Sequence, residues 1–230
     1  MSRKKRIGFA TIGQSPRVDI VPAIIAGLGV PVEVIEAGTL DGLDDEAIGR
    51  LTAQPGEYSF ATRLADGRQV IIGKGAAEER LAVLLGQMDK QGLDLIVVLC
   101  AGTQLPSLVH TLLVEPQHIV DGVTAALAAN VRTLGVVVPL EQQVDCFHLE
   151  GEVRAQVRVA FASPYVGDRF ERAGLELAGC DLVVMHCMGY NPSMKEKVAR
   201  AARAPTLLAS QLVADVLRQL VGAEENDRAT

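Results

Sequence analysis

The chain has 230 residues, of which 49% are hydrophobic, so it can bury a substantial core as one large domain or two small ones. Its net charge of −6 argues against a nucleic-acid binder, and the absence of tryptophan leaves no platform for stacking bases or sugars. No signal peptide and no apolar run of transmembrane length is recognised, so we expect a cytoplasmic protein without membrane contact and with reduced cysteines.

Short apolar runs alternate with segments of helical periodicity along the chain. The apolar runs predict buried strands and the periodic segments predict helices. The predicted strands cover 7–12, 31–36, 94–100, 133–138, 153–161, 181–187 and 206–208. The predicted helices cover 16–28, 41–52, 76–91, 120–130, 140–151, 169–178, 192–203 and 210–221, and residues 224–230 are expected to fray.

Segments 58–64 and 69–72 flank an Asp-Gly pair, which predicts a β-hairpin. The remaining alternation of strand and helix implies parallel strands with right-handed crossovers. We therefore predict an α/β fold of two pseudo-symmetric parallel-sheet halves with helices on both faces, the hairpin being an insertion in the first half. The expected halves are residues 1–120 and 121–230, and we leave open that helix 209–222 packs back on the first half.

An internal repeat aligns Asp94–Thr103 with Asp181–Tyr190 and places Cys100 and Cys187 at equivalent positions. Both cysteines follow an apolar strand, at the sheet edge where open α/β folds bind ligands. Two thiols from matched halves suit acid–base chemistry, in which one removes a proton from carbon and the other returns one to the opposite face. The structural alternative is that both are small buried hydrophobes. Neither Cys146 nor Cys180 has a matched context, and we interpret them as structural.

Candidate substrate-binding residues surround the two cysteines in the predicted sheet. The Gly13–Arg17 loop follows the first strand, and its backbone, the Ser15 hydroxyl and the Arg17 guanidinium are suited to a carboxylate. The alternative is a helix N-cap at Ser15 with a solvated arginine. The full set of candidates is Thr11, Gln14, Ser15, Arg17, Gly102, Thr103, Gln104, Gly189, Tyr190 and Asn191. Those that follow the cysteines have capping of the next helix as their alternative role.

Neither a metal nor an organic cofactor is expected. The cysteines form no C-x-x-C pair, His110, His118 and His148 are scattered without metal-ligand spacing, and the glycines do not fit a dinucleotide fingerprint. His186 directly precedes Cys187, and strand alternation predicts that the two side chains point to opposite faces.

The opening segment Ala10–Asp19, Ala-Thr-Ile-Gly-Gln-Ser-Pro-Arg-Val-Asp, together with the later strand motifs, resembles the AroM family from about residue 6 to 222. That family is similar to the aspartate/glutamate racemase superfamily. The resemblance implies two pseudo-symmetric α/β halves, a cleft between them and a mechanism without cofactor. Both cysteine positions match the superfamily. Their neighbours differ, since Cys-Ala-Gly-Thr and His-Cys-Met replace the typical Cys-Asn-Thr and Gly-Cys-Thr, so an aspartate or glutamate substrate is not implied.

Three functions are compatible with these residues. The leading hypothesis is a cofactor-independent isomerase of the racemase or epimerase type that acts on a small carboxylate through Cys100 and Cys187. The second is a malonate-type decarboxylase or maleate-type isomerase that uses one cysteine. The third is a non-catalytic protein that binds a small carboxylate. A homodimer is left open in each case.

Overall fold

The computed structural model describes residues 3–222, so the predicted fraying of 224–230 lies outside the described residues. Its strands are β1 (Lys5–Thr11), β2 (Val32–Gly38), β3 (Ser59–Arg63), β4 (Gln69–Gly73), β5 (Leu95–Val98), β6 (Leu112–Val114), β7 (Thr133–Val138), β8 (Gln156–Phe161), β9 (Leu182–Met185) and β10 (Thr206–Leu208). Its α-helices are α1 (Val21–Leu28), α2 (Asp45–Gly49), α3 (Lys74–Met88), α4 (Pro116–Ala128), α5 (Phe170–Glu176), α6 (Pro192–Ala202) and α7 (Ala209–Val221).

Two parallel sheets of matching topology form the frame. The first has the order β2-β1-β5-β6 and the second, read from its other edge, has the order β8-β7-β9-β10. In each sheet the first strand in sequence lies between the second and the third, and every described pairing is parallel. Strands β3 and β4 form a separate antiparallel hairpin. The predicted fold class is therefore confirmed, including the hairpin.

The central strands are buried because helices cover the sheets. All four residues of β5 and of β9 are buried, as their uninterrupted apolar sequences predict. The largest apolar cluster joins the two sheets, since Phe9 and Val97 of the first lie in it with Val136 and Val184 of the second. Helix α7 contributes Val213 to this cluster and packs against α1 and α4. None of the described helices is long and apolar enough to cross a membrane.

The first helix begins later than predicted, at Val21 instead of Pro16. Pro22 explains the shift because it has no N–H to donate and fits the first turn, where no such donor is needed. Residues before the helix form a turn in which Ile20 and Val21 donate to the Arg17 carbonyl. The predicted helix cap at Ser15 is therefore wrong.

The predicted helix over 140–151 is also wrong, because only a 3₁₀ turn at Glu141–Gln143 forms there. Long-range hydrogen bonds replace the helix. The Gln143 amide donates to the Ser59 carbonyl at 2.9 Å, and the Glu150 N–H donates to Asp121 at 2.8 Å. Strand β6 was not predicted, since it has only three residues and its Leu112 is exposed.

Candidate active site

Cys100 and Cys187 line one cavity beyond the carboxyl ends of β5 and β9. Its volume is about 30 Å³, enough for about two water molecules. Both strands end two residues before their cysteine, at Val98 and Met185, so each thiol lies past the hydrogen-bonded ladder. Other lining residues include Ile12, Arg17, Tyr58, Phe60, Thr62, Gln143, Phe147, Tyr165, His186 and Gly189.

The protein environment keeps both cavity thiols protonated at neutral pH. Burial raises the pKa of Cys100 far above its ordinary value, and a charge on Cys187 would raise it further. Burial raises the pKa of Cys187 to about 11, an effect partly offset by the backbone N–H of Gly189. That N–H donates to Cys187 Sγ at 3.5 Å. The thiols are thus unequal, and Cys187 is the one that ionises more easily.

Arg17 lies in the cavity wall and is only 2% exposed, so the alternative of a solvated arginine is wrong. Its guanidinium donates to both carboxylate oxygens of Asp19 at 2.9 and 2.8 Å, and to Thr11 Oγ1 at 2.9 Å. Burial opposes its charge, yet the bonds to Asp19 and Tyr165 outweigh that effect and raise the Arg17 pKa. Asp19 accepts from Nε and Nη2, Tyr165 accepts the second Nη2 hydrogen, and Thr11 accepts one Nη1 hydrogen. The other Nη1–H of Arg17 therefore has no partner among the described residues.

Further polar side chains that the sequence did not indicate also line the cavity, among them Tyr165 and Thr62. Tyr165 Oη accepts a hydrogen bond of 3.0 Å from Arg17 Nη2, and burial raises the Tyr165 pKa. Thr62 Oγ1, on β3 of the hairpin, is buried and has no hydrogen-bond partner among residues 3–222. Neither residue belongs to the repeat or to a recognisable motif. Tyr165 reaches the site from the loop after β8, and Thr62 reaches it from the inserted hairpin.

His186 also lines the cavity, contrary to the alternation rule. The rule does not apply because β9 ends at Met185, so His186 and Cys187 both follow the strand. His186 Nε2 lies 2.6 Å from Asp121 Oδ1, and both side chains are buried. The Phe147 ring packs edge-on against the imidazole with the centroids 5.0 Å apart.

Of the predicted binding residues, Arg17 and Gly189 line the cavity. Thr11 lies outside the lining and accepts a hydrogen bond from Arg17. Gln14 and Ser15 instead join neighbouring loops. The Gln14 amide bridges Leu40 and Ala65, and Ser15 donates to Asp41 through its hydroxyl at 2.6 Å. Both therefore lie outside the lining and fix the loop that carries Arg17.

The residues beyond each cysteine mostly have structural partners. Asn191 caps α6 by accepting from the Met194 N–H at 3.0 Å, and Tyr190 donates to the Ala162 carbonyl at 2.8 Å. Gln104 has its backbone N–H bonded to Glu78, Thr103 is buried, and Gly102 adopts a φ of 154°. Gly102, Thr103, Gln104, Tyr190 and Asn191 all lie outside the cavity lining.

The β3–β4 hairpin forms part of the cavity wall and contacts both halves. Phe60 and Thr62 line the cavity from β3. The hairpin is attached to the second half through the Gln142 side chain, which donates to Ser59 Oγ, and through Ser163 Oγ, which donates to Gln69 Oε1 at 2.6 Å. No cluster of three or more metal-ligating side chains occurs among residues 3–222.

The sequence between residues 7 and 221 matches the family model of the AroM protein. The chain belongs to the AroM family. A search of curated proteins finds no match to this AroM-family chain.

Solved structures of the racemase superfamily resemble this AroM-family chain over nearly its whole length. Glutamate racemase from Francisella tularensis, in complex with D-glutamate, has a TM-score of 0.58 and 15% identity, covering 95% of this chain and 81% of that chain. A mutant of arylmalonate decarboxylase has a TM-score of 0.55 and 15% identity, covering 96% of this chain and 94% of the decarboxylase chain. Nocardia farcinica maleate cis-trans isomerase has a TM-score of 0.52 and 15% identity, covering 95% of this chain and 93% of the isomerase chain. At these identities the similarity establishes the shared fold.

Proposed function

We propose that this protein is a cofactor-independent isomerase of the racemase or epimerase type, with Cys100 and Cys187 as its acid–base pair. The observation that supports the proposal is that both thiols line one cavity and follow topologically equivalent strands, β5 and β9. Inversion at carbon needs proton removal on one face and proton delivery on the other, and two groups from opposing halves meet that requirement.

The substrate is a small carboxylate with an acidic carbon-bound proton. Three donors in the cavity support this class: the remaining Nη1–H of Arg17, the hydroxyl of Tyr165 and the hydroxyl of Thr62. Tyr165 accepts from Arg17, so its own hydrogen is available, and Thr62 Oγ1 has no hydrogen-bond partner within the described part of the chain. A buried unpaired donor is costly, so a carboxylate that accepts these hydrogens gains their full hydrogen-bond energy.

Chemistry with a single cysteine is the second candidate, and the inequality of the thiols favours it. Cys187 accepts a hydrogen bond at its sulfur from the Gly189 N–H, whereas Cys100 accepts none from residues 3–222. The Cys187 pKa of about 11 is also closer to the ordinary value than that of Cys100. In this alternative Cys187 alone transfers the proton, after decarboxylation or during a cis–trans isomerisation. Fold similarity to arylmalonate decarboxylase and maleate isomerase makes both chemistries reasonable.

Deuterium exchange at the acidic carbon distinguishes these functions. The protein is incubated in D₂O with amino, hydroxy and substituted dicarboxylic acids, and the α-proton signals are followed by NMR. We expect exchange that is lost, or becomes one-sided in stereochemistry, in both Cys100→Ser and Cys187→Ser. The matched control is Cys146→Ser, since Cys146 is exposed and outside the cavity.

Loss of exchange in Cys187→Ser with nearly normal exchange in Cys100→Ser would favour the single-cysteine chemistry. Absence of exchange across a broad panel would reject the isomerase in favour of the decarboxylase or the carboxylate-binding protein. Ligand-induced thermal stabilisation without turnover would identify the binding protein.

A further inference from the structure

A larger groove adjoins the cavity of the two thiols. It has a volume of about 580 Å³ and lies between residues 53–59 and the turn of residues 142–146. Most of its lining residues are exposed, so the groove is open to solvent. The cavity itself has about 30 Å³, whereas ligand pockets typically measure about 300–1,000 Å³. The groove therefore offers room for the larger part of a ligand, which the cavity lacks.

The groove and the cavity share a wall formed by Tyr58 and Gln143, since both residues line both spaces. Burial raises the pKa of Tyr58, and a charge on Cys146 in the groove would raise it further. Charges on the cavity residues Cys100 and Cys187 would have the same effect, so Tyr58 stands close to both spaces. A shift of the two wall side chains joins the spaces into one pocket.

The charge of the groove selects against anions. Among its lining residues, which all belong to the described part of the chain, Glu57 is the only charged one. The Glu57 carboxylate accepts from the backbone N–H groups of Gln54 and Gly75 at 3.0 and 3.1 Å, which leaves lone pairs free, since a carboxylate has about four acceptor sites. The nearby cation Lys74 lies outside the lining and faces Glu78 at 3.7 Å. A second carboxylate in the groove would therefore be repelled by Glu57.

The uncharged groups of the groove also favour a hydrogen-bond donor. The Gln142 side-chain amide donates to Ser59 Oγ, and the Gln142 backbone carbonyl accepts from the Cys146 thiol at 3.1 Å. The side-chain oxygen of Gln142 has no partner among residues 3–222, and neither has the side-chain amide of Gln54. A ligand group that donates hydrogen bonds thus meets acceptors at Glu57 and at Gln142.

We propose that the groove binds the distal end of the substrate, and that this tail donates hydrogen bonds, as an amide or an ammonium group does, instead of being a second carboxylate. The inference rests on the proposed function, in which the substrate carboxylate lies in the cavity beside Arg17. The substrate spans the shared wall, with its carboxylate inside and its tail outside. Glu57 determines the specificity for the tail, because it attracts donors and repels anions.

Cys146 serves as the reporter because its thiol is exposed in the groove. Its S–H is bonded to the Gln142 carbonyl, so it is not one of the groups that bind the tail. Alkylation of Cys146 by iodoacetamide at neutral pH is followed by mass spectrometry, with glutamine, lysine or glutamate added as free amino acids. These probes share one head and differ in the tail. Succinamate and succinate repeat the amide–carboxylate comparison without the amino group.

We expect glutamine, lysine and succinamate to slow the alkylation of Cys146 roughly threefold or more at saturation, and the matched carboxylates to slow it far less. The comparison of glutamine with lysine distinguishes an amide tail from an ammonium tail. Glu57→Gln removes the charge of the groove, so glutamate should then protect Cys146 as well as glutamine does.

Thr62→Val tests whether one ligand spans both spaces. It removes a cavity hydroxyl that has no partner among residues 3–222, and should raise the glutamine concentration for half-protection roughly threefold or more. Glu196→Gln is the matched control, at an exposed position of α6 outside the groove and the cavity, and should leave the protection unchanged.

Equal protection by the amide and the carboxylate of each pair, or no protection by any probe, would overturn the proposal. Protection that is unchanged in Thr62→Val would also overturn it, because the tail would then bind without the cavity. Deuterium exchange on acids that leave Cys146 unprotected would reject the groove and retain the isomerase. Protection of Cys146 without deuterium exchange on any acid would retain the groove and reject the isomerase.

Discussion

Arg17 Nη2 donates a hydrogen bond of 3.0 Å to Tyr165 Oη and so joins the loop after β1 to the loop after β8. These loops follow strands that are not equivalent in the two sheets, since β8 pairs with β7 in the second sheet as β2 pairs with β1 in the first. The contact is partly buried, and it holds the buried Arg17 in the wall that both cavity thiols share. Within the proposed function, it fixes the position of the substrate carboxylate.

Tyr165→Phe should weaken both folding and carboxylate binding. The change leaves a buried guanidinium hydrogen without its acceptor, which costs about 1–3 kcal/mol of unfolding free energy. Urea unfolding measures this loss, and thermal shifts with small carboxylates measure the binding.

The matched control is Tyr190→Phe, which removes a buried hydroxyl bonded to the Ala162 carbonyl outside the cavity. It should lower stability to a similar extent while the ligand-induced shift is retained. An equal loss of the ligand shift in both variants would contradict a binding role for Tyr165.

Gly189→Ala should destabilise the protein because the site has no room for a methyl group. A Cβ at this position would lie 2.5 Å from Tyr165 Oη and 3.0 Å from Pro164 Cγ. Overpacking of this kind typically costs about 1–3 kcal/mol. Urea unfolding should show the loss.

Gly86→Ala provides the opposite comparison within the same chain. Gly86 lies in α3, and a Cβ there meets nothing within 4 Å. Alanine should stabilise this helix by about 0.5–1 kcal/mol. A neutral Gly189→Ala beside a stabilising Gly86→Ala would show that Tyr165 moves aside freely.

The sequence predicts the frame of the fold well because that frame depends on local patterns. Uninterrupted apolar runs identify β5 and β9, and the repeat places Cys100 and Cys187 at equivalent strand ends that line one cavity. The family resemblance adds the pseudo-symmetric arrangement, which the strand orders reproduce.

The rest of the site depends on contacts between distant residues, which no local pattern carries. Arg17 is identified from its loop. The hydrogen bonds of its guanidinium to Asp19 and Tyr165 follow only from the tertiary structure. His186 is assigned to the wrong face because its strand ends one residue before it. Hydrogen bonds from the 140–151 segment to Ser59 and Asp121 likewise outweigh its helical pattern.

The stability contribution of Cys187 should disappear at alkaline pH. Burial raises its folded-state pKa from 9.0 to about 11, so the folded protein holds this proton more tightly than the unfolded chain. The contribution is complete below about pH 9 and is lost as the pH rises towards about 11. The loss should amount to roughly 1–3 kcal/mol.

Urea unfolding of the wild type and Cys187→Ser across this range checks the prediction, because the variant lacks the titrating group. The difference in unfolding free energy should change with pH in favour of the variant, and thiolate absorbance at 240 nm should show the matching ionisation. Parallel pH profiles for the two proteins would contradict the raised pKa of Cys187.

Displacement of the β3–β4 hairpin should be needed for ligand binding, since the cavity of about 30 Å³ is smaller than any chiral carboxylate. Gln142 is exposed and its side chain donates to Ser59 Oγ, so Gln142→Ala removes an attachment of the hairpin without disturbing the core. Loss of one hydrogen bond should speed amide exchange of residues 59–73 roughly two- to tenfold while global stability changes little.

Gln156→Ala, at an exposed position on β8, is the matched control. Hydrogen exchange of the hairpin that is equal in both variants would mean that this attachment does not hold the hairpin against the cavity.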